Sequence, residues 1–396
     1  MKIVRNIIAA LCVGVMLTSC YSQDDIYKEW VKPGGYNYPA KVLNLSADKG
    51  FNRLVLKWEK PMDPSVESFI VYWDNNAESS GEISYSNYSG SNISFEIDDL
   101  DDRSYSFNVV NLDEDGNKSV ASEIVVSPYG NGWLSSRTER TINQAYMEGN
   151  DARIKLTRST NEMISTKFRY KNSSNEWVEL ETKLDPSSNE IVLPGALKGK
   201  YFEYASCFLP EGGLDPVWRA WNKSSVGISY QLDGKRWGKS ATKGQVADGS
   251  ALEYIFDGQI NAGSTWQSAK SDDLKNKFPK ILVFDTNTSA GEEFAFTGFT
   301  FVQNPNSESL RYIKNLSIYV GNEAYDPNDT DYLNNFGISF LDLLLTTKNS
   351  EYTVYASSAK QGKYLSLVFT NSWDEENGYV NLWELIPYGY IPSQAD

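Results

Sequence analysis

The sequence predicts an all-β protein built as sandwich-like modules in series, and three observations predict it. From Ala40 onward, short apolar stretches of alternating pattern are separated by Gly, Pro, Asn and Asp. A similar set of stretches returns about 100 residues later, the length of one sandwich domain. Aromatic residues make up 13% of the 396 positions, a profile suited to β-rich extracellular binding proteins.

Residues 1–19 read as a processing signal. Lys2 and Arg5 form a short basic region, and Ile7 to Leu17 is an apolar run too short to span a bilayer. Leu17-Thr18-Ser19-Cys20 resembles the lipobox of bacterial lipoproteins, which implies lipidation at Cys20. Tyr21-Ser22-Gln23-Asp24-Asp25 is similar to the acidic export signal of Bacteroidota-type lipoproteins, which implies the outer face of the outer membrane. Residues 20–39, with Pro33-Gly34-Gly35, read as a tether. No other run approaches ~20 apolar residues, so membrane association rests on the lipid anchor.

Residues 40–128 form the first module. Leu54, Leu56 and Trp58 alternate along one strand; Phe69-Ile70-Val71-Tyr72-Trp73 is apolar on both faces and therefore central. Tyr105, Phe107 and Val109 share a face of a later strand, and Asp115-Gly116 signals a hairpin. This order of strands resembles fibronectin type III. Residues 129–228 carry a weaker copy: Arg153-Ile154-Lys155-Leu156, Phe168-Arg169-Tyr170, Glu190 to Leu193 and Tyr201 to Tyr204. Residues 24–215 together resemble an uncharacterised family of Bacteroidota lipoprotein domains, through Asp25 to Trp30, Tyr129-Gly130-Asn131-Gly132 with Arg137, and Phe208-Leu209-Pro210-Glu211.

Residues 229–396 carry a more specific pattern. Asp257-Gly258, Ser264-Thr265-Trp266-Gln267, and Pro279 running to Asp285 resemble the opening of a coagulation factor 5/8 type C (discoidin-like) domain. Phe299-Thr300-Phe301 and Ile313 to Val320 match its middle, and Leu382 to Gly389 its close. The resemblance implies a jelly-roll sandwich of the galactose-binding type. The expected fold class is thus all-β: two fibronectin type III/immunoglobulin-like sandwiches followed by a discoidin-like jelly roll. Where sugar-binding relatives often carry His and Arg, this chain has Gln267 and Gln303.

Composition narrows the function. With 37 basic against 52 acidic residues the net charge is −15, which argues against a nucleic-acid partner. The absence of histidine excludes Ser–His and Cys–His catalysis and His-ligated zinc. Adjacent carboxylates such as Asp98-Asp99 do not oppose one another across a substrate as glycoside hydrolysis requires, so no enzyme is expected. Cys207, among Tyr204, Phe208 and Leu209, reads as a small buried hydrophobe. The discoidin resemblance implies one structural calcium held by Asp257, Ser264 and Glu384. The alternative of equal weight is that Asp257 caps a turn and Glu384 is an edge residue. The acidic loop Asp326-Pro327-Asn328-Asp329-Thr330-Asp331 lacks the central Gly and late Glu of a calcium loop and reads as a turn. Trp373, in a polar loop, offers a stacking face for a sugar, with Gln267 and Gln303 to meet its hydroxyls. The expected function is non-catalytic carbohydrate binding at the cell surface, beside outer-membrane glycan-uptake components. The rival is an adhesion protein with no sugar site.

Overall fold

The computed structural model describes residues 38–183, 189–241, 250–261, 263–268, 278–286, 293–305, 311–324, 331–374 and 376–396. The leader, Cys20 and most of the Asp326–Asp331 loop lie outside them. Among the described residues, no helix is long and apolar enough to cross a membrane.

The chain forms two compact units. One contains the described residues through Ser135 together with Gly212–Asp215; the other contains Ser136–Glu211 with Pro216–Asp396. In the first unit the strands are β1 (Leu43–Gly50), β2 (Arg53–Glu59), β3 (Val66–Trp73), β4 (Glu78–Ser79), β5 (Ile83–Ser84), β6 (Asn92–Ile97), β7 (Tyr105–Asp113) and β8 (Ser122–Val126). They make a sheet in the order β1-β2-β6 and a second in the order β4-β3-β7-β8, with β5 also on β3. As the apolar run at Phe69 predicts, β3 is central. Leu54, Leu56, Trp58, Phe69, Val71, Phe107 and Val109 are buried together between the sheets. The Trp58 indole meets the Phe69 ring edge-on at 5.0 Å and donates to the Tyr85 hydroxyl at 3.1 Å. The Tyr105 hydroxyl accepts the Asp101 N–H at 2.9 Å, closing the corner that precedes β7.

Tyr129–Ser135, expected to open the second module, packs instead with the first. Asn52 N–H donates to the Tyr129 carbonyl at 2.8 Å, and Trp133 N–H to Asp102 at 2.7 Å. Gly212–Asp215 joins the same unit through Asp215. Its carboxylate accepts from Arg53 Nε at 2.9 Å, Arg53 Nη2 at 2.6 Å and the Phe51 N–H at 2.8 Å. A Cβ on Gly50 would lie 2.5 Å from an Asp215 oxygen, so any side chain there would push the Asp215–Arg53 pair aside.

The second unit opens with the weaker copy: β9 (Ile142–Glu148), β10 (Asp151–Leu156), β11 (Met163–Lys171), β12 (Trp177–Lys183), β13 (Glu190–Leu193), β14 (Glu203–Phe208), β15 (Val217–Trp218) and β16 (Asn222–Lys223). The sheet orders are β13-β10-β9 and β12-β11-β14-β15, with β16 also on β14, so the copy repeats the organisation of the first sandwich. Cys207 is buried, and burial pushes its thiol up to about 11, as its apolar neighbours predict.

The jelly roll follows: β17 (Tyr230–Gln231), β18 (Gly238–Ala241), β19 (Trp266–Gln267), β20 (Lys280–Asp285), β21 (Phe294–Val302), β22 (Ile313–Gly321), β23 (Leu341–Leu344), β24 (Glu351–Gly362), β25 (Tyr364–Ser372), β26 (Asn381–Leu382) and β27 (Glu384–Tyr390). Sheets ordered β17-β27-β21-β24 and β18-β20-β25-β22-β23 enclose an aromatic-rich core, and β19 pairs with β26 at one end. Trp266 is part of that core, stacked on Phe369 at 5.8 Å, so its place in the motif is explained by packing.

Candidate functional site

Two clusters in the jelly roll contain the residues singled out from sequence. The first lies at the turn after the short 3-10 helix Leu252–Phe256. Gly258 takes the turn with φ +76°, and Asp257 Oδ1 accepts the Gln259 N–H at 2.7 Å. The Ser264 hydroxyl donates to the other Asp257 oxygen, and Glu384, 126 residues on, accepts the Gly258 N–H at 3.0 Å. Asp257, Ser264 and Glu384 therefore do come together.

Their electrostatics are unbalanced. Glu384 is only 6% exposed, and burial pushes its carboxyl up to about 7. The Asp257 charge adds to that shift, while the Gly258 N–H and Lys235 oppose it. No group of three or more His, Cys, Asp or Glu residues suited to a metal occurs among the described residues. What the turn offers is two carboxylates and a hydroxyl, oxygen donors of the kind a hard cation takes.

The second cluster is the rim around β19 and the end of β21. Gln267 is half-buried, and its Oε1 accepts from Arg311 Nη1 at 2.9 Å. The Arg311 guanidinium in turn lies over the Tyr379 ring, 5.3 Å from its centre. Trp373 sits close by, its backbone N–H donating to the Tyr312 carbonyl at 3.0 Å. Its ring is flanked by the ammonium groups of Lys314 at 4.8 Å and Lys348 at 5.2 Å. Trp373 is half-buried with its indole N–H enclosed, where its polar loop predicts a freely exposed ring. The Lys314 and Lys348 side chains beside the ring contribute to that cover.

Gln303 has another role in this arrangement. It is fully buried, and both ends of its amide are spent inside the fold. Nε2 donates to the Asn349 carbonyl at 2.9 Å, and Oε1 accepts the Ile313 N–H at 2.6 Å. Asn349 and Ile313 are the chain neighbours of Lys348 and Lys314. Gln303 therefore ties together the two segments that flank Trp373, and it presents no amide to a ligand. Sequence reasoning passed over Arg311, Lys314, Lys348 and Tyr379. A usable signal was present: an arginine, Arg311, stands two positions before β22.

The profile of a family described as a domain of unknown function, DUF4998, matches residues 20–216, the stretch that resembles a lipoprotein domain family. No curated protein matches the chain. Among solved structures, a SusE-like protein is 11% identical and aligns over 88% of this chain and 96% of its own, with a TM-score of 0.34. A family 32 carbohydrate-binding module from the Clostridium perfringens protein NanJ, solved with galactose, is 15% identical over 41% of this chain and 99% of its own, with a TM-score of 0.32. An F5/8 type C domain from Bacteroides fragilis is 16% identical over 40% of this chain and 94% of its own, with a TM-score of 0.29.

Proposed function

Because residues 20–216 belong to the DUF4998 family, to which no function is assigned, we propose a function on the chemistry of the chain itself: a non-catalytic surface lipoprotein that binds carbohydrate at the rim of its jelly roll. The observation that carries this reading is the Gln267–Arg311–Tyr379 cluster, with the lysine-flanked Trp373 hydrogen-bonded to Tyr312, the chain neighbour of Arg311. A sugar ring stacks its C–H face on an aromatic side chain, and its hydroxyls take hydrogen bonds from amide and guanidinium groups. Trp373 supplies the stacking face, Gln267 and Arg311 meet hydroxyls, and Gln303 acts as a positioning residue beneath them. The lipobox ending at Cys20 supports a lipid anchor, and the acidic stretch Tyr21 to Asp25 supports the outer face of the outer membrane, where glycan-uptake components would be neighbours.

Calcium belongs to the same reading. Asp257, Ser264 and Glu384 would hold the ion, which would neutralise a crowded carboxylate pair and fix the turn that leads into β19.

The test is a glycan screen of the mature chain, followed by calorimetry on any hit. Trp373→Ala is expected to lose about 1–3 kcal/mol of binding, a tenfold to hundredfold drop. Arg311→Ala should weaken binding by about tenfold. A protein that binds no glycan, or folded variants that bind as wild type, would hand the case to the adhesion reading.

A further inference from the structure

Outside the jelly roll, the outer face of the second sandwich has a chemistry that the proposed function does not use. Lys167, Arg169 and Lys171 alternate along β11 and point to that face. Three tryptophans interleave with them. Lys167 lies 4.5 Å from the Trp218 ring and 4.6 Å from the Trp221 ring. Arg169 lies 5.0 Å from Trp221 and 5.4 Å from Trp177, and Lys171 lies 5.6 Å from Trp177. The result is one continuous stack of cation and ring. Arg169 is also paired with Glu203, whereas Lys167 and Lys171 have no ion-pair partner among the described residues.

The stack ends at a cleft of about 240 Å³. Trp177 stands at its edge with 56% of its surface exposed, unusual for the largest apolar side chain. Lys171, Lys200, Lys223 and Tyr201 also line the cleft, and the Lys223 ammonium lies 4.5 Å from the Tyr201 ring. One carboxylate already pairs with a lysine at the cleft's edge, with 77% of its side chain exposed. Asp396 pairs with Lys223 through its side chain and accepts from Lys200 Nζ through a main-chain oxygen at 2.6 Å. Three lysines share the cleft with two carboxylates, Asp396 and Glu203, and Glu203 is already paired with Arg169 outside the lining.

We infer that this cleft is a second saccharide site, selective for sugars bearing a carboxylate, in which Trp177 stacks on the ring and Lys171, Lys200 and Lys223 bind the acid group. Three features suited to a uronate ligand meet here: an exposed ring for its C–H face, a cleft beside it, and three lysines on that cleft, one of which already pairs with a carboxylate. Asp396 competes with the ligand's acid group for Lys223. The ladder behind Trp177 holds the ring at a fixed angle, which lowers the entropy lost on binding.

Calorimetry of the mature full-length chain with an oligogalacturonate as probe tests this, with a neutral galactose oligomer as control. The uronate binds and the neutral oligomer does not compete for it. The double variant Lys200→Ala/Lys223→Ala lowers uronate affinity by at least about tenfold, since it removes charged hydrogen bonds. Asp396→Asn raises affinity several-fold by removing the competing carboxylate, and Trp177→Ala lowers it in a protein that melts as wild type. Trp373→Ala leaves uronate binding unchanged, so failure of the jelly-roll rim and failure of this cleft are separate results. The inference is overturned if neither wild type nor Asp396→Asn binds the uronate. It is equally overturned if a folded lysine double variant binds as wild type, or if oligoglutamate of matched length displaces the sugar with equal potency, which would make the cleft a site for acidic peptides.

Discussion

Asp215 in the first unit and Glu384 in the second are carboxylates held in opposite circumstances. Asp215 receives a two-pronged contact from Arg53 and the Phe51 N–H, and the Arg53 guanidinium holds its carboxyl below the usual range. Glu384 receives one backbone N–H, lies near a second carboxylate, and is pushed up to about 7, chiefly by burial. Where a carboxylate is fully paired, its charge serves the fold and leaves nothing for a ligand. Where a buried carboxylate is under-compensated, the fold bears a desolvation cost that a bound cation would offset. This contrast separates a structural clasp from a candidate ligand site more clearly than the residue types do.

The largest expected effect sharpens the Glu384 side of that contrast. An ion that binds only the native state stabilises by mass action, by about 2.7 kcal/mol at a free concentration 100 times the dissociation constant. Calcium should therefore raise the melting temperature of the wild-type chain, and a chelator should remove the gain. Glu384→Gln and Asp257→Ala should both abolish the response to calcium. In chelator, Glu384→Gln should melt no earlier than wild type, because it removes a buried charge rather than a contact. Identical wild-type melts with and without chelator would reject the calcium site.

How much of this was legible in the sequence differs by residue. The strand order of both sandwiches follows from period-two patterns such as Leu54-Val55-Leu56-Lys57-Trp58, because a half-buried sheet imposes that period directly. The meeting of Asp257, Ser264 and Glu384 was legible through a family pattern, since a tight turn and a closing strand fix short side chains firmly. Gln303 was not legible as a brace. An amide can face a ligand or the backbone with equal chemistry, and only the positions of Ile313 and Asn349 decide which. The stack on β11 escaped notice because its partners, Trp177 on β12 and the Trp218–Trp221 pair, come from separate parts of the chain. Asp215 escaped for a related reason: Arg53 is 162 residues away, and nothing local to Asp215 announces it.

The smallest effect tests the Asp215 side. Asp215→Asn keeps the shape but loses the charge on two guanidinium contacts and the Phe51 N–H. Charged hydrogen bonds of this kind are worth about 1.5–3 kcal/mol, and partial exposure of the carboxylate, 29% of its side chain, lowers the expectation to about 1–2 kcal/mol. Its pH dependence has a definite sign. The folded state holds the Asp215 carboxyl below its ordinary value of about 4, so its stabilisation is fully present above about pH 4 and is lost as pH falls through the lower folded value. The gap in melting temperature between wild type and Asp215→Asn should therefore be full near pH 6 and narrow below pH 4. Hydrogen exchange at the Phe51 amide gives the local readout, and it should quicken in the variant at pH 6. A gap that stays constant from pH 6 down to pH 2, or a Phe51 amide that exchanges at the wild-type rate, would show that the Asp215–Arg53 clasp does not contribute charge-dependent stability.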